Sequence, residues 1–155
     1  DDLHCVMHTH EPISQTMCSV EEKFVPMVQE ACQLYERVGY HEFEGIVLDS
    51  SEKERMIKAL GKKNHTLVLK NHGLLTAGPS AIWAFVRHQI FIRNSDIQLR
   101  ALSSGAKLSQ IPIAVIEHTR EQFEGGSAQG GAVVRHPEWP AFWRLLDKLD
   151  PDWKT

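Results

Sequence analysis

The chain has 155 residues, enough to enclose one hydrophobic core and short for two ordinary domains. Apolar residues make up 42% and charged residues 24%, with a formal net charge of -3. That is the balance of a soluble globular protein, and it leaves no basic footprint for nucleic acid or an anionic membrane. No apolar run approaches the roughly 20 residues of a membrane span, and Asp1-Asp2-Leu3-His4 lacks the basic and apolar regions of a signal peptide. The three cysteines, Cys5, Cys18 and Cys32, form no close pair and read as buried free thiols in a reducing, cytoplasmic setting.

Leu3-His4-Cys5-Val6-Met7-His8 reads as a strand. A domain rarely opens inside its own central strand, so a segment preceding Asp1 is expected to be missing. From Glu11 to Gly39, Phe24, Met27, Val28, Ala31, Leu34 and Tyr35 recur at helical spacings, with Gly39 placed as the stop. Gly45-Ile46-Val47-Leu48 reads as a short extended piece. Asp49 and Ser50 then offer N-caps for a charged helix running to Leu60 and ending at Gly61. Thr66 to Lys70 and Leu74 to Gly78 read as strands joined through Asn71-His72-Gly73. Pro79 and Ser80 open the longest helix, whose stripe of Trp83, Val86, Ile90, Ile97 and Ala101 ends near Gly105. Polar residues and glycines from Glu124 to Gly131 read as a loop. Trp139, Phe142, Trp143, Leu146 and Leu149 then mark a terminal amphipathic helix suited to docking on the parent domain or a neighbouring subunit.

Nine histidines are the unusual feature of the composition. Residues two apart on a strand point to the same face, so His8 and His10 can converge on one ion. His72 closes a second apolar strand, and Gly73 after it permits a close backbone approach or an unusual dihedral. If the two strands are neighbours, three imidazoles meet at one sheet edge, the ligand count of a catalytic metal site with an open position. Taken alone, Asn71-His72-Gly73 reads sooner as a strand-end turn with a satisfied histidine. The HxH pair fits poorly with amidohydrolases, whose barrel needs about 250 residues. It also fits poorly with cupins, because no acid stands among Ile13, Ser14 and Gln15.

Three segments together resemble the class II aldolase/adducin family: Val6-Met7-His8-Thr9-His10, Tyr40-His41-Glu42-Phe43-Glu44-Gly45, and Leu69-Lys70-Asn71-His72-Gly73-Leu74-Leu75-Thr76-Ala77-Gly78. Gln98-Leu99-Arg100-Ala101 is similar to a helix of the bacterial, adducin-like members. The resemblance implies a three-layer α/β/α fold around a mostly antiparallel sheet, commonly a tetramer, and it places a divalent ion, zinc or else manganese, iron or cobalt, on His8, His10 and His72. It implies a lyase, of aldolase or decarboxylase type, acting on a small hydroxy-carbonyl or sugar-phosphate substrate through a metal-stabilised enediolate. The alternative it carries is a non-catalytic, adducin-like assembly module. The family's general-base Glu lies about twenty residues before HxH, where only seven residues precede His8, so the chain reads as N-terminally truncated.

Tyr40 and His41 are the remaining catalytic candidates, as proton donor and proton shuttle, with a structural Tyr-His before a strand as the competing reading. Glu42 and Glu44 read as solvated charges, His4 as a partly buried core or surface histidine with a place beside the metal ligands as the alternative, and His65, His88, His118 and His136 as surface residues. The expected organisation is an aldolase/adducin-like domain over 1–118, a linker over 119–136, and a helix and tail over 137–155.

Overall fold

Leu67, Val68 and Leu69 are 1%, 2% and 5% exposed, so the apolar run they form is covered on both faces and serves as the spine of the sheet. In the computed structural model, the described residues are 3–46, 51–128 and 139–154. Four strands, β1 (Cys5–Thr9), β2 (Val38–His41), β3 (Thr66–Leu69) and β4 (Gly73–Gly78), lie in the order β1-β4-β3-β2. The β1/β4 and β4/β3 pairs are antiparallel, and β3/β2 is parallel. The sheet is therefore mixed, antiparallel through most of its width. A tight turn at Asn71, whose φ of 56° is left-handed, joins β3 to β4 as a hairpin. The helix α2 (Ser51–Leu60) lies in the longer connection that a parallel β2/β3 pair requires.

Val38, Tyr40, Val68 and Leu74 point to one face, where they meet Met17, Cys18, Leu34 and Phe91 in the core. The helices α1 (Pro12–Cys18) and α3 (Ala81–Ser103) cover that face. The other face carries α2 over β2 and β3, so close that a Cβ at Gly39 would stand 2.5 Å from the carbonyl oxygen of Ala59. Helix, sheet and helix make the three layers.

The expected helix over Glu11 to Gly39 is not formed as one element. It resolves into α1, an irregular segment, a 3-10 helix at Gln29–Leu34 and the strand β2. Pro26 removes a backbone donor in the middle of the periodic run. The irregular segment instead bonds to side chains of α3. Asn94 accepts from the Met27 N–H (2.8 Å) and donates to the Val25 carbonyl (2.8 Å). Gln98 accepts from the Val25 N–H (2.9 Å) and donates to the Lys23 carbonyl (2.7 Å). Two side-chain amides thus take the place of a neighbouring strand.

The long helix forms, but its buried face is Ala84, His88, Phe91, Asn94, Ser95 and Gln98, while the expected stripe of Trp83, Val86, Ile90, Ile97 and Ala101 is only half-buried. Gly45 and Ile46 lie in a bend, the strand of that region being β2, and the rest of the expected extended piece, Val47 and Leu48, falls outside the described residues with the N-cap candidates Asp49 and Ser50. A helix α4 (Ile113–Ala128) occupies the front of the expected linker, so Glu124 is helical; positions 129–136 are outside the described residues. The terminal helix α5 (Trp139–Leu149) forms as expected and rests on Phe85 through Trp139 and Phe142. Cys5, Cys18 and Cys32 are free thiols. None of the described helices is long and apolar enough to cross a membrane.

Candidate metal centre

β1 carries His8 on the face away from α1 and α3, and His10 follows one residue past the strand, just before Glu11 caps α1 through the Ser14 N–H (2.9 Å). The antiparallel register sets His8 opposite Leu75 and Thr9 opposite Leu74. The start of β4, with Gly73, therefore passes directly beneath the two imidazoles.

Gly73 makes this approach possible. A Cβ at that position would stand 2.6 Å from the Thr9 carbonyl oxygen, 2.8 Å from His10 Cδ2 and 3.2 Å from His8 Cε1. The unusual dihedral belongs to Asn71 two residues earlier. α1 holds the turn from behind. The Asn71 N–H donates to the Cys18 carbonyl (2.8 Å), the Gln15 amide donates to the His72 carbonyl (3.0 Å), and the Cys18 thiol donates to the Gly73 carbonyl (3.2 Å). The helix that follows HxH thus fixes the turn that presents His72.

The three rings meet with centroids 4.7 to 5.0 Å apart, and one nitrogen from each lies within 4.8 Å of the others. His8 Nδ1 donates to the Leu74 carbonyl (2.9 Å). A carbonyl only accepts, so the lone pair of His8 sits on Nε2, which points at His10 Nε2, 3.0 Å away. Burial, with the adjacent His8 and His10 rings, holds the His72 pKa below the ordinary histidine value, which keeps that ring neutral. Nitrogens about 2.0–2.1 Å from a tetrahedral zinc stand roughly 3.3 Å apart. The donor type and the neutral ring fit a divalent ion, and the 3.0 Å between His8 Nε2 and His10 Nε2 is close to that spacing. His8 and His10 are exposed on the outer side of the cluster, which leaves room for a further ligand.

His41 lies at the same end and on the same face of the sheet. It pairs with Leu69, and Leu69 pairs with Gly73, so two strand spacings, roughly 10 Å, separate it from the backbone under the triad. The ring is 7% exposed, with Nε2 3.4 Å from Glu52 Oε1 and 3.9 Å from Glu44 Oε1. Arg55 holds Glu44 through two nitrogens. Tyr40 points to the opposite face, where its hydroxyl accepts the Phe24 N–H (2.9 Å) and Lys23 lies 5.7 Å from its ring centroid. Glu42 pairs with Lys70 (3.0 Å), and His4 is exposed and outside the cluster.

Two residues that the sequence did not single out for the site take part in this region. Glu52 is a carboxylate only 9% exposed. His88, expected at the surface, is 1% exposed beneath β1. The spacing of 84, 88, 91, 95 and 98 on one helical face was the available signal for His88, obscured because three of those five side chains are polar. His65 is half-buried, His118 is exposed on α4, and His136 lies outside the described residues.

Residues 1–99 match the family described as Class II Aldolase and Adducin N-terminal domain. A Pseudomonas aeruginosa protein, provisionally named as a class 2 aldolase, is 31% identical over 153 residues, covering 99% of this chain and 59% of that protein. Rat alpha-adducin is 30% identical over 156 residues, covering 96% of this chain and 21% of that protein. The crystal structure of an aldolase II superfamily protein from Pseudomonas syringae superposes with a TM-score of 0.84 at 32% identity, over 99% of this chain and 60% of that one. The chain thus spans about three-fifths of its bacterial relatives and about a fifth of alpha-adducin. With the family match extending over both histidine motifs and the α/β/α layers around them, the chain belongs to the class II aldolase/adducin family.

Proposed function

We propose that the chain is the metal-binding part of a divalent-metal-dependent lyase, of aldolase or decarboxylase type, acting on a small hydroxy-carbonyl or sugar-phosphate substrate. The observation that carries this reading is the convergence of His8, His10 and His72 at an open sheet edge, with His8 Nε2 left as a lone-pair donor. A divalent ion there, most simply zinc, supplies Lewis-acid stabilisation of negative charge developing on substrate oxygens. His8, His10 and His72 bind that ion, and Gly73 keeps the floor of the site clear of a side chain.

His41 is the residue this reading assigns to proton transfer. Its Nε2–H donates to Glu52, which leaves the lone pair on Nδ1 and orients the ring from the end of β2. Tyr40 is excluded from that role by its bond to Phe24 on the far face of the sheet. The buried Glu52 carboxylate holds the ring from its Nε2 side. A homo-oligomer, tetrameric by resemblance, would complete the substrate cleft.

A second reading, an adducin-like assembly module without turnover, is favoured by the match to alpha-adducin and by the exposed apolar side chains of α5, Trp143, Leu145 and Leu149. A panel of phosphorylated and free hydroxy-ketones, assayed for aldehyde or carbon dioxide release with zinc-loaded protein, separates the two. The lyase reading expects turnover on at least one substrate, abolished in His72→Ala. Turnover on none, with assembly unaffected by His72→Ala, supports the assembly module.

A further inference from the structure

Thr9 stands between two of the metal ligands in sequence, yet strand alternation turns its side chain to the opposite face, toward α3. There its hydroxyl lies 2.6 Å from Nε2 of His88. The other nitrogen of that ring, Nδ1, lies 3.1 Å from the Thr76 hydroxyl, and Thr76 lies 2.8 Å from the carbonyl oxygen of Ala84. His88 is 1% exposed and Thr76 0% exposed, so no bulk water intervenes.

The donors can be assigned along the whole chain of bonds. The Ala84 carbonyl only accepts, so Thr76 spends its proton there and must accept from His88 Nδ1–H. That leaves a lone pair on His88 Nε2, which accepts the Thr9 hydroxyl proton. Thr9 → His88 → Thr76 → Ala84 is then a single directed relay, each polar atom satisfied, running from the edge strand through α3 and β4.

The position of β1 gives this relay its consequence. Among the described residues, β1 is a sheet edge and pairs only with β4. Beyond Thr9 the ladder ends, and His10 lies outside it. Thr9 is therefore the last residue of the strand, and its hydroxyl ties the backbone between both ligands to a buried anchor in α3. Rotation of this peptide would swing His8 and His10 apart.

We propose that the Thr9–His88–Thr76 relay is a positioning device for the metal centre, setting the separation and direction of the His8 and His10 nitrogens from behind the sheet. His88 and Thr9 touch neither ion nor substrate; they act through the ligands on either side of Thr9. This inference rests on the reading that the triad binds a divalent ion.

The test compares zinc affinity, by competition with a chromophoric chelator, and the cobalt(II) visible spectrum for the wild-type chain, Thr9→Val, Thr9→Ser and Thr76→Val. Thr9→Val keeps the shape and strand propensity of the residue and deletes only the donor, and urea midpoints and far-ultraviolet circular dichroism establish that each variant is folded. Expected is a loss of about tenfold or more in zinc affinity for Thr9→Val, in line with losses seen when groups supporting metal ligands are removed. The cobalt(II) band should be altered in the same variant, with Thr9→Ser recovering both and Thr76→Val moving both in the direction of Thr9→Val. Zinc affinity and a cobalt(II) spectrum unchanged from wild type in folded Thr9→Val or Thr76→Val overturn the relay alone. Failure of the wild-type chain to bind either ion overturns the metal reading and the relay with it.

Discussion

Gly73 lies directly under His10: a Cβ added to it would come within 2.8 Å of His10 Cδ2 and within 2.6 Å of the Thr9 carbonyl oxygen. The glycine is needed for space, since no left-handed dihedral is recorded there, and Asn71 supplies the left-handed turn. Gly73→Ala is expected to push β4 away from the HxH backbone. The cost in stability should be about 1–3 kcal/mol, the range for overpacking a tight site, with zinc affinity falling at least about tenfold, as when support for metal ligands is disturbed. Urea denaturation and a zinc titration on the same variant measure both. Unchanged zinc affinity would show that the close approach is irrelevant to the ligands.

Tyr40 and His41 are adjacent in sequence and face opposite sides of the sheet, so they separate cleanly by mutation. Tyr40→Phe leaves the part-buried Phe24 N–H without its acceptor and should destabilise the fold by about 1 kcal/mol, the low end of the cost of an unmet donor. Zinc affinity should not change. His41→Gln should leave stability nearly intact and remove lyase turnover. The opposite pattern, turnover lost in Tyr40→Phe at full stability, would return the proton-transfer role to Tyr40.

Acid should unfold the chain through two histidines outside the triad. Burial lowers the His88 pKa from 6.5 to about 4. Burial, with Arg87 and Arg37 nearby, lowers that of His65 to about 3. Both rings are neutral in the folded chain at neutral pH, and the unfolded chain binds their protons more readily. Their contribution to stability is therefore complete above about pH 6.5 and is lost as pH falls toward 4 and then 3. At pH 5, His88 alone should account for about 2 kcal/mol relative to pH 7.5, from 1.36 kcal/mol per pKa unit over roughly 1.5 units. Urea midpoints at pH 7.5 and pH 5, for wild type and Thr9→Val, follow this loss; a stability flat across that range contradicts it.

The irregular segment before the 3-10 helix should depend on α3 for its backbone bonds. Asn94→Leu removes partners of both the Met27 N–H and the Val25 carbonyl. A destabilisation of about 1–3 kcal/mol is expected, since two part-buried backbone groups are left unmet at once. A loss under about 0.5 kcal/mol, the size of an ordinary surface substitution, would mean that the segment finds other partners.

Much of this architecture was legible in the residues themselves. The compact apolar run from Thr66 to Leu69 read as a strand, and its burial on both faces shows it to be a central one. Strand parity placed His8 and His10 together, and the histidine before Gly73 supplied the third ring once the two strands proved to be neighbours. The segment from Glu11 to Gly39 was not legible, because its helical spacing is real while its backbone partners, Asn94 and Gln98, lie about seventy residues away in the sequence. His88 was missed for a related reason. A helix whose buried face carries His, Asn, Ser and Gln presents its stronger apolar stripe elsewhere, and only the hydroxyls of Thr9 and Thr76 reveal why a histidine belongs inside.

The central claim is that His8, His10 and His72 hold one divalent ion, and metal content tests it most directly. Purified chain stripped with chelator, exposed to zinc and passed through a desalting column should retain about one equivalent per chain, as a three-histidine site predicts, and His72→Ala should retain almost none. Retention below about a tenth of an equivalent by the wild-type chain, with manganese, iron and cobalt failing equally, would contradict the account, because a site with this donor set should hold at least one of those ions.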